Sequence, residues 1–447
     1  MRSPFRVRFV RDFAMTGGAQ VAKSLGAMIG GVLVARALGS SGKGVISVLM
    51  ALASITVLLT SFGIHLSGVY FLGRFKSDRD AVVSNNLLVG ALGGVLAGVL
   101  MTVVVILFHA QVMRGISLGI FLLFVLSVPC SYFNEFGQRI ALGLGHVRGY
   151  NVPELIEGGS LVVGTATILV IMGPHLLPLI ALRVVIAAGT SVFLFVYIRR
   201  VGRYRFRPSR RLLRRQFTYG VKNYTGSLLW LFLLQSDLVL CNYFLGSSPT
   251  GVYSVAVSLG LPVTLLASVL GPLIFQRVAS DENRPNRIAN TNRVLRILVP
   301  VLGSLVVVLG ASAKWVIAFL YGSRFSGAGE ALILLLPGLM ALSFEIVVMS
   351  FLAGEGSPRI VYWAPLVGLV VNLGANLFVI PRWGIDGAAT TSTIGYITVL
   401  LLVLRHYLRS TRCRPSAVLL LKRGDLQALW RPADELQSGL PAQPGVA

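Results

Sequence analysis

Eight charged residues stand inside or at the ends of long apolar runs of this chain: Lys23, Glu135, Glu154, Glu157, Arg183, Lys222, Asp237 and Glu345. A charge at the centre of a bilayer costs about 2.5 to 3.5 kcal/mol even on a lenient insertion scale, so such groups face water or one another rather than lipid. The cations Lys23, Arg183 and Lys222 are the residues that would neutralise an anion which hydrocarbon excludes. The acids Glu135, Glu157, Asp237 and Glu345 suit ion pairing or coupling to an ion gradient. Each has a plainer role beside this one. Glu154 and Glu157 fall within about a turn of a span boundary, where solvation is the default, and Lys222 can snorkel to the same surface. Lys23 lies deeper, about 15 Å beyond the start of its helix. Arg183 and Asp237 serve equally well as structural pairs.

The elements that must hold these groups are membrane spans. Apolar residues make up 55% of the 447 residues and charged residues 13%, about half the charged share of a soluble domain. Runs of about 20 apolar residues, enough to cross ~30 Å of hydrocarbon, predict twelve spans. They cover 13–37, 44–72, 82–108, 116–138, 152–173, 176–198, 217–245, 251–277, 295–320, 329–353, 360–380 and 385–408. The first is too long and too interrupted for a signal peptide, despite Ala35-Arg36-Ala37 at its end.

A repeat organises the spans. Leu38-Gly39-Ser40-Ser41-Gly42-Lys43-Gly44-Val45-Ile46-Ser47-Val48 returns 207 residues later as Leu245-Gly246-Ser247-Ser248-Pro249-Thr250-Gly251-Val252-Tyr253-Ser254-Val255, with eight of eleven positions identical. Pro129 pairs with Pro337, Glu135 with Glu345, Gly143 and Gly145 with Gly354 and Gly356, and Tyr150 and Pro153 with Tyr362 and Pro365, at offsets that creep from 208 to 212. Six spans separate the copies, so the expected fold is all-α and polytopic, two parallel six-helix bundles related by a pseudo-two-fold along the membrane normal. The expected organisation is an N-terminal segment 1–12, a first bundle 13–198, a basic linker 199–216, a second bundle 217–408 and a tail 409–447. That tail holds an interfacial helix at 416–430 followed by disorder.

Lysine and arginine set the orientation. With both termini cytoplasmic, 31 of the 40 basic residues fall on the cytosolic side, 6 outside and 3 within spans. Nine arginines crowd 199–215, with Tyr204 and Phe206 interleaved. A basic run beside a membrane is the ordinary cytosolic, lipid-facing pattern, so no nucleic-acid partner is expected.

Other signals point away from enzymatic or metal chemistry. Cys130, Cys241 and Cys413 show no metal or disulfide spacing, and His65, His109, His146, His175 and His406 lie on separate segments. Gly143-x-Gly145-x-x-x-Gly149 joins two membrane helices and fails as a nucleotide motif. Asn372, Asn376 and the Thr390-Thr391-Ser392-Thr393 run read as interhelical glue, and prolines at 129, 262, 272, 300, 337 and 365 as bends. No cofactor, metal or catalytic set is expected.

Three motifs carry a family resemblance. They are Ala35-Arg36-x-Leu38-Gly39 with Gly44, Phe244-Leu245-Gly246 with Gly251, and Asn376-x-x-x-Ile380-Pro381-x-x-Gly384-x-x-Gly387-Ala388-Ala389. Over about residues 10–410 the chain resembles the Wzx-type oligosaccharide flippases of the multidrug/oligosaccharidyl-lipid/polysaccharide exporter superfamily. The resemblance implies a V-shaped pair of bundles in a bacterial or archaeal cytoplasmic membrane. They would move a polyprenyl-diphosphate-linked glycan between leaflets by alternating access, beside polysaccharide assembly machinery and membrane lipid. Lys23, Arg183 and Lys222 would then meet the diphosphate. The alternatives are a lipid-linked peptidoglycan precursor flippase, which usually has extra helices, and a multidrug/cation antiporter, which needs an acidic cavity. A membrane glycan polymerase or ligase would be an enzyme with a sizeable external loop, and every external loop here is short.

The topology is testable without a substrate. In a cysteine-free background, Ser248→Cys and Ser326→Cys are expected to react with an impermeant thiol reagent in intact cells, and Ser209→Cys is not. Equal labelling of all three would rule out twelve spans with both ends inside.

Overall fold

The computed structural model describes residues 4–107, 116–202, 204–356, 358–422 and 425. Among them the elements are helical: α1 (Pro4–Ser61), α2 (Ile64–Arg74), α3 (Arg79–Leu107), α4 (Leu118–Val125), α5 (Ser127–Gly143), α6 (Val147–Ile171) and α7 (Leu176–Gly202) come first. After an extended stretch at 204–209 follow α8 (Arg210–Leu245), α9 (Ser247–Ser280), α10 (Arg284–Tyr321), α11 (Ala328–Gly354), α12 (Pro358–Thr411) and the short α13 (Ser416–Leu419). Ten helical stretches among the described residues are long and apolar enough to cross a membrane.

Twelve apolar runs thus become ten long helices, for a local reason. The first two runs are joined in α1 and the last two in α12, and each joint is a single glycine that breaks the helix: Gly39 at φ 69°, ψ −168° and Gly384 at φ 61°, ψ −139°. Side chains clash in that backbone region, so only glycine turns the chain there without strain. The expected interfacial helix at 416–430 is helical over Ser416–Leu419, and most of its remainder lies outside the described residues.

The helices pack around two main cores. One gathers Val34, Val45, Leu49, Ala97, Phe121, Phe124, Tyr132 and Ile180 from α1 to α7; the other centres on α11 and takes in α8, α9, α10 and α12. Helix α11 is apolar all round and accordingly the most enclosed, with Leu335, Val347, Val348, Phe351 and Leu352 fully buried. Leu92, Val95, Leu96, Val99 and Ile106 of α3 point outward, as a lipid-facing stripe does.

At one end the two copies of the repeated segment clasp each other. Ser40 Oγ lies 2.6 Å from Ser248 Oγ, and Ser41 Oγ 3.1 Å from Ser247 Oγ. Exchanging each residue for its counterpart in the other copy, Ser40 for Ser247 and Ser248 for Ser41, turns one contact into the other, so the contact is reciprocal. Gly44 sits on the Ser247 carbonyl and Gly251 on the Ser40 carbonyl, both so closely that a Cβ would overlap the oxygen. Arg36 crosses the same end and donates to the carbonyls of Phe319 and Leu320, the latter at 2.7 Å, at the C-terminus of α10 where a cation complements the helix dipole. Exposed Trp315, Phe319 and Trp383 surround this end, the residue type favoured at a membrane interface.

The opposite end carries the linker. Ser84 Oγ accepts from Arg207 N at 2.9 Å, and Asn85 exchanges two hydrogen bonds with the Ser209 backbone at 2.9 and 3.0 Å, so 204–209 is fixed against α3. Here α1 also meets α8: Ser61 Oγ donates to Tyr224 Oη at 2.8 Å, and Tyr224 Oη to the Leu58 carbonyl at 3.1 Å. The tail folds back on α10, where Arg296 grips Asp425 with two bonds of 2.6 and 2.7 Å. That guanidinium and the Lys422 N–H hold the Asp425 carboxyl down to about 2.

The clasp predicts a symmetric mutational response. Gly44→Ala and Gly251→Ala are each expected to cost about 1 to 3 kcal/mol by overpacking, read as a lower melting temperature in detergent. Gly303→Ala, with no heavy atom within 4 Å of the new methyl, is expected to leave it unchanged or raise it slightly. Equal tolerance at all three positions would show that the clasp does not hold the halves.

Candidate functional site

A cavity of about 240 Å³ lies within the first bundle, between α1, α4, α5, α6 and α7. Helix α5 gives it a polar stripe at helical spacing, Ser127, Ser131, Asn134, Glu135 and Gln138, which share one face because three and four residues make about one turn. The second limb of α1 contributes Met50, Ser54 and Val57, its first limb Lys23, α6 Glu154 and Glu157, and α7 Arg183. Four of the sequence-predicted residues, Lys23, Arg183, Glu135 and Glu157, therefore meet in one space.

Within it the charges sort into paired and unpaired. Lys23 Nζ is 2.6 Å from Glu154 Oε2 and 3.8 Å from Glu157 Oε2. Glu154 was expected to be solvated at a boundary; it is instead 7% exposed, because the packing of α6 on α1 places it against the ammonium. Gly158 allows that approach, since its backbone packs directly on Gly26 and on the Lys23 backbone. Glu135 is bridged by Arg139, one turn on, at 3.0 Å, and buried His65 places Nε2 3.9 Å from the same oxygen.

Arg183 has no such partner. Its Nη1 rests 3.3 Å from Met50 Sδ, and no carboxylate among the described residues lies within ion-pair distance of it. Lys43 is close enough to Arg183 for the two to repel, and Glu157 is close enough to attract the guanidinium without forming an ion pair with it. The Lys43 chain folds back along α1 until its ammonium lies where a Cβ on Gly31 would be 3.2 Å away. Lys43 too has no carboxylate within ion-pair distance among the described residues. It was missed in the sequence because it counts as an outside loop residue there. The available signal was its place in the repeat, where a lysine stands opposite Thr250.

The remaining predicted residues lie elsewhere. The Lys222 side chain is outside the described residues, although its helix, α8, is described. Asp237 and Glu345 belong to the second bundle. Asp237 accepts from Leu238 N at 2.7 Å, Tyr253 Oη at 2.6 Å and Ser392 Oγ at 3.1 Å. Asn372 donates to Ser392, Asn376 to Asn372, and Thr391 to Asn376, so these polar residues tie the two limbs of α12 to each other, and Ser392 ties them to Asp237 of α8. Glu345 is 1% exposed, and neither carboxylate oxygen has a hydrogen-bond partner among the described residues. It stands in the wall of a mainly apolar cavity of about 730 Å³ lined by Trp230, Leu261, Phe275, Leu339 and Tyr396.

That cavity shares Leu261, Thr264, Ser268 and Pro272 with an apolar groove of about 730 Å³ between α1 and α9. Val21, Leu25 and Met28 line the groove from α1, whose other side carries Lys23 into the polar cavity. Among the described residues no three His, Cys, Asp or Glu side chains gather as a metal site would require.

Residues 9–278 match the family model described as polysaccharide biosynthesis protein. Among curated proteins the chain is similar to the probable low-salt glycan biosynthesis flippase Agl15 of Haloferax volcanii, at 24% identity over 46% of this chain and 44% of that one. It is also similar to the succinoglycan biosynthesis transport protein ExoT of Rhizobium meliloti, at 28% identity over 53% and 47%. The matched segments span less than half the length of these relatives. Among solved structures it resembles an inward-facing multidrug resistance MATE family transporter of the MOP superfamily, with a TM-score of 0.71 at 15% identity over 87% of this chain and 94% of that one. The lipid II flippase MurJ in an inward closed conformation follows at 0.69 and 14%, over 95% and 93%. These likenesses establish the fold.

The ion-pair geometry makes Lys23 testable as a structural residue. Lys23→Ala is expected to leave Glu154 buried beside no cation and to cost about 1 to 3 kcal/mol, below the full penalty for a buried pair because Lys23 is partly exposed. Melting temperatures would show it, with Lys23→Ala/Glu154→Gln recovering most of the loss. A single variant as stable as the parent would remove the pair from the scaffold.

Proposed function

Because the chain belongs to the polysaccharide biosynthesis protein family, we propose that it is a flippase that carries a polyprenyl-diphosphate-linked oligosaccharide across the cytoplasmic membrane for surface polysaccharide assembly. The observation that carries this reading is the charge left over in the cavity. Each carboxylate there has a cation within 4 Å, whereas among the described residues Arg183 has no carboxylate within ion-pair distance. A guanidinium without an ion pair in a space enclosed by helices calls for an anion, and a diphosphate supplies the matching charge. A multidrug/cation antiporter would leave the opposite sign uncompensated.

The rest of the molecule has a place in this mechanism. Sugars occupy the polar stripe of α5, which offers hydroxyls and amides in place of water. The polyprenyl tail lies along the apolar groove between α1 and α9 and stays in contact with lipid. Counting each limb of α1 and α12 separately, and α4 with α5 as one crossing, gives twelve crossings in two parallel six-helix bundles, 13–198 and 217–408. Both termini and the arginine-rich linker then face the cytosol. The Ser40–Ser248 clasp closes the outer side, and alternating access requires it to part while the linker end closes. Asp237, Glu345, Glu135 and Glu157 are the acids available for coupling to an ion gradient. The protein acts as a transporter with no chemical step, beside the polysaccharide assembly machinery; a peptidoglycan precursor flippase is the nearest alternative of the same fold.

Arg183 is the decisive residue. Arg183→Ala is expected to remove about 1.5 to 3 kcal/mol of binding to the diphosphate, the worth of one charged hydrogen bond. Export of lipid-linked glycan should fall more than tenfold at unchanged protein abundance. Arg183→Lys keeps the charge without the planar fork and should retain part of the export. Full export by a stable Arg183→Ala protein would sink the reading.

A further inference from the structure

A groove of about 1290 Å³ runs between α2, α3 and the first turns of α8 at the linker end, outside the transport path proposed above. We propose that it binds one anionic phospholipid of the adjoining leaflet, with the phosphate on the arginines of α8 and the acyl chains on the apolar wall that continues into the membrane. The site stands on this groove alone and holds whatever cargo the chain carries.

Its charge comes from Arg210, Arg211, Arg214 and Arg215, all exposed and all lining the groove. Residues 210 and 214, and 211 and 215, lie one turn apart, so the four side chains leave neighbouring positions on one face of α8. Among the described residues none of them has a carboxylate within ion-pair distance. Like charges one turn apart oppose a helix, and so does their place in its first two turns, where the dipole favours acids and the first turn holds none. A bound anion offsets both costs.

The remaining walls say which anion. From α2 and the residue that follows it come Phe71 and Phe75, with ring centroids 5.5 Å apart, and Tyr70 stacks on Tyr219 of α8 at 4.6 Å. Asn85, bonded to Ser209 and Gln216, sets α3 against α8, and Val89, one turn deeper, joins the groove. Val89 also heads a row with Leu92, Leu96 and Val99, which are exposed at helical spacing along the lipid-facing side of α3. The groove therefore leads from four cations straight onto a surface for hydrocarbon. Soluble phosphate would fill its charged end alone, whereas a phospholipid fits both ends. Inward the groove is shut: Phe62 packs on Phe217 at 5.4 Å, and a Cβ on Gly220 would meet the Phe62 carbonyl at 2.7 Å. The occupant thus enters from the bilayer and stays at the rim, where it bridges α2 and α3 to α8.

The test uses the full-length chain in detergent, titrated with phosphatidylglycerol or with phosphatidylcholine of the same acyl chains, with bound lipids counted by native mass spectrometry. One phosphatidylglycerol is expected to bind about tenfold more tightly than phosphatidylcholine, whose own ammonium offsets its phosphate. Arg211→Gln/Arg215→Gln and, independently, Arg210→Gln/Arg214→Gln should each shrink that preference to under about threefold. Arg405→Gln/Arg409→Gln removes two exposed arginines of α12 outside the groove and should leave it unchanged. Equal affinity for the two lipids in the parent would overturn the proposal. An equal loss of preference in all three variants would also overturn it, as the sign of diffuse attraction to a basic surface. Displacement of the lipid by an equal concentration of inorganic phosphate would do the same, as the sign of a soluble anion's site. The flippase reading is untouched by these outcomes, since its own test lies at Arg183.

Discussion

The cost of placing charge in hydrocarbon governs this molecule. Water in the cavity and partners in the wall are the two ways of meeting that cost, and the first bundle uses both. Lys23 and its two carboxylates fix α1 to α6, and Glu135 with Arg139 anchors the inner wall next to His65. These pairs let helices rich in polar residues pack inside a membrane, and they leave Arg183 without an ion pair among the described residues. A cavity made of unpaired cations alone would be hard to fold; one with every charge paired would have nothing to offer an anionic ligand. The arrangement lies between these limits, and on the flippase reading proposed above the guanidinium would set the ligand's sign.

Movement depends on contacts that are close but weak. The clasp at Ser40, Ser41, Ser247 and Ser248 is made of hydroxyls and carbonyls at glycine-permitted distance, with Ala35 of α1 packed into the core of the second bundle beside it. Its hydrogen bonds are each worth about 0.5 to 1.5 kcal/mol net, and water can replace them when the halves part. Arg36 adds a stronger tie to the end of α10, yet its acceptors are carbonyls that solvent can also serve. At the linker end, the single hydroxyl chain from Ser61 through Tyr224 to Leu58 is of the same kind. Neither end carries a buried ion pair between the bundles among the described residues, so neither state is locked.

Much of this was legible in the sequence, because hydrophobic run length is a direct consequence of bilayer thickness. Helices α3, α6, α7, α9 and α11 begin and end within about five residues of the apolar runs. The joints at Gly39 and Gly384 were not resolved as breaks within continuous helices, since a one-residue turn leaves no gap in hydropathy. Depth led to the expectation that several of these charges face a space between the halves, with Glu157 solvated at a boundary; that Lys23, Glu135, Glu157 and Arg183 instead share a space within the first bundle, and that Asp237 and Glu345 lie apart from it, required knowing which face of each helix turns inward. Lys43 escaped because position along the chain placed it in a loop, while four methylenes and the bare face of Gly31 carry its charge back into the bundle. Glu154 escaped for the converse reason: a boundary position says nothing of a neighbouring ammonium.

The repeat explains the fold, and its divergence explains the site. Setting Glu135 against Glu345, 210 residues on, aligns the polar stripe of α5 with α11: Ser131, Asn134, Gln138 and Arg139 fall opposite Ala341, Phe344, Val348 and Met349. The same helix position that opens a water-filled cavity in the first bundle is therefore core in the second, where Phe344, Val348 and Met349 are buried. Only the carboxylate is common to both, with a guanidinium beside it in one copy and none in the other. On the flippase reading proposed above, a symmetric pair of polar cavities would present two equivalent sites to one asymmetric lipid. Losing the polar stripe from one copy would instead leave a polar bundle for the head group and an apolar groove for the chain that follows it, separated by the two faces of α1.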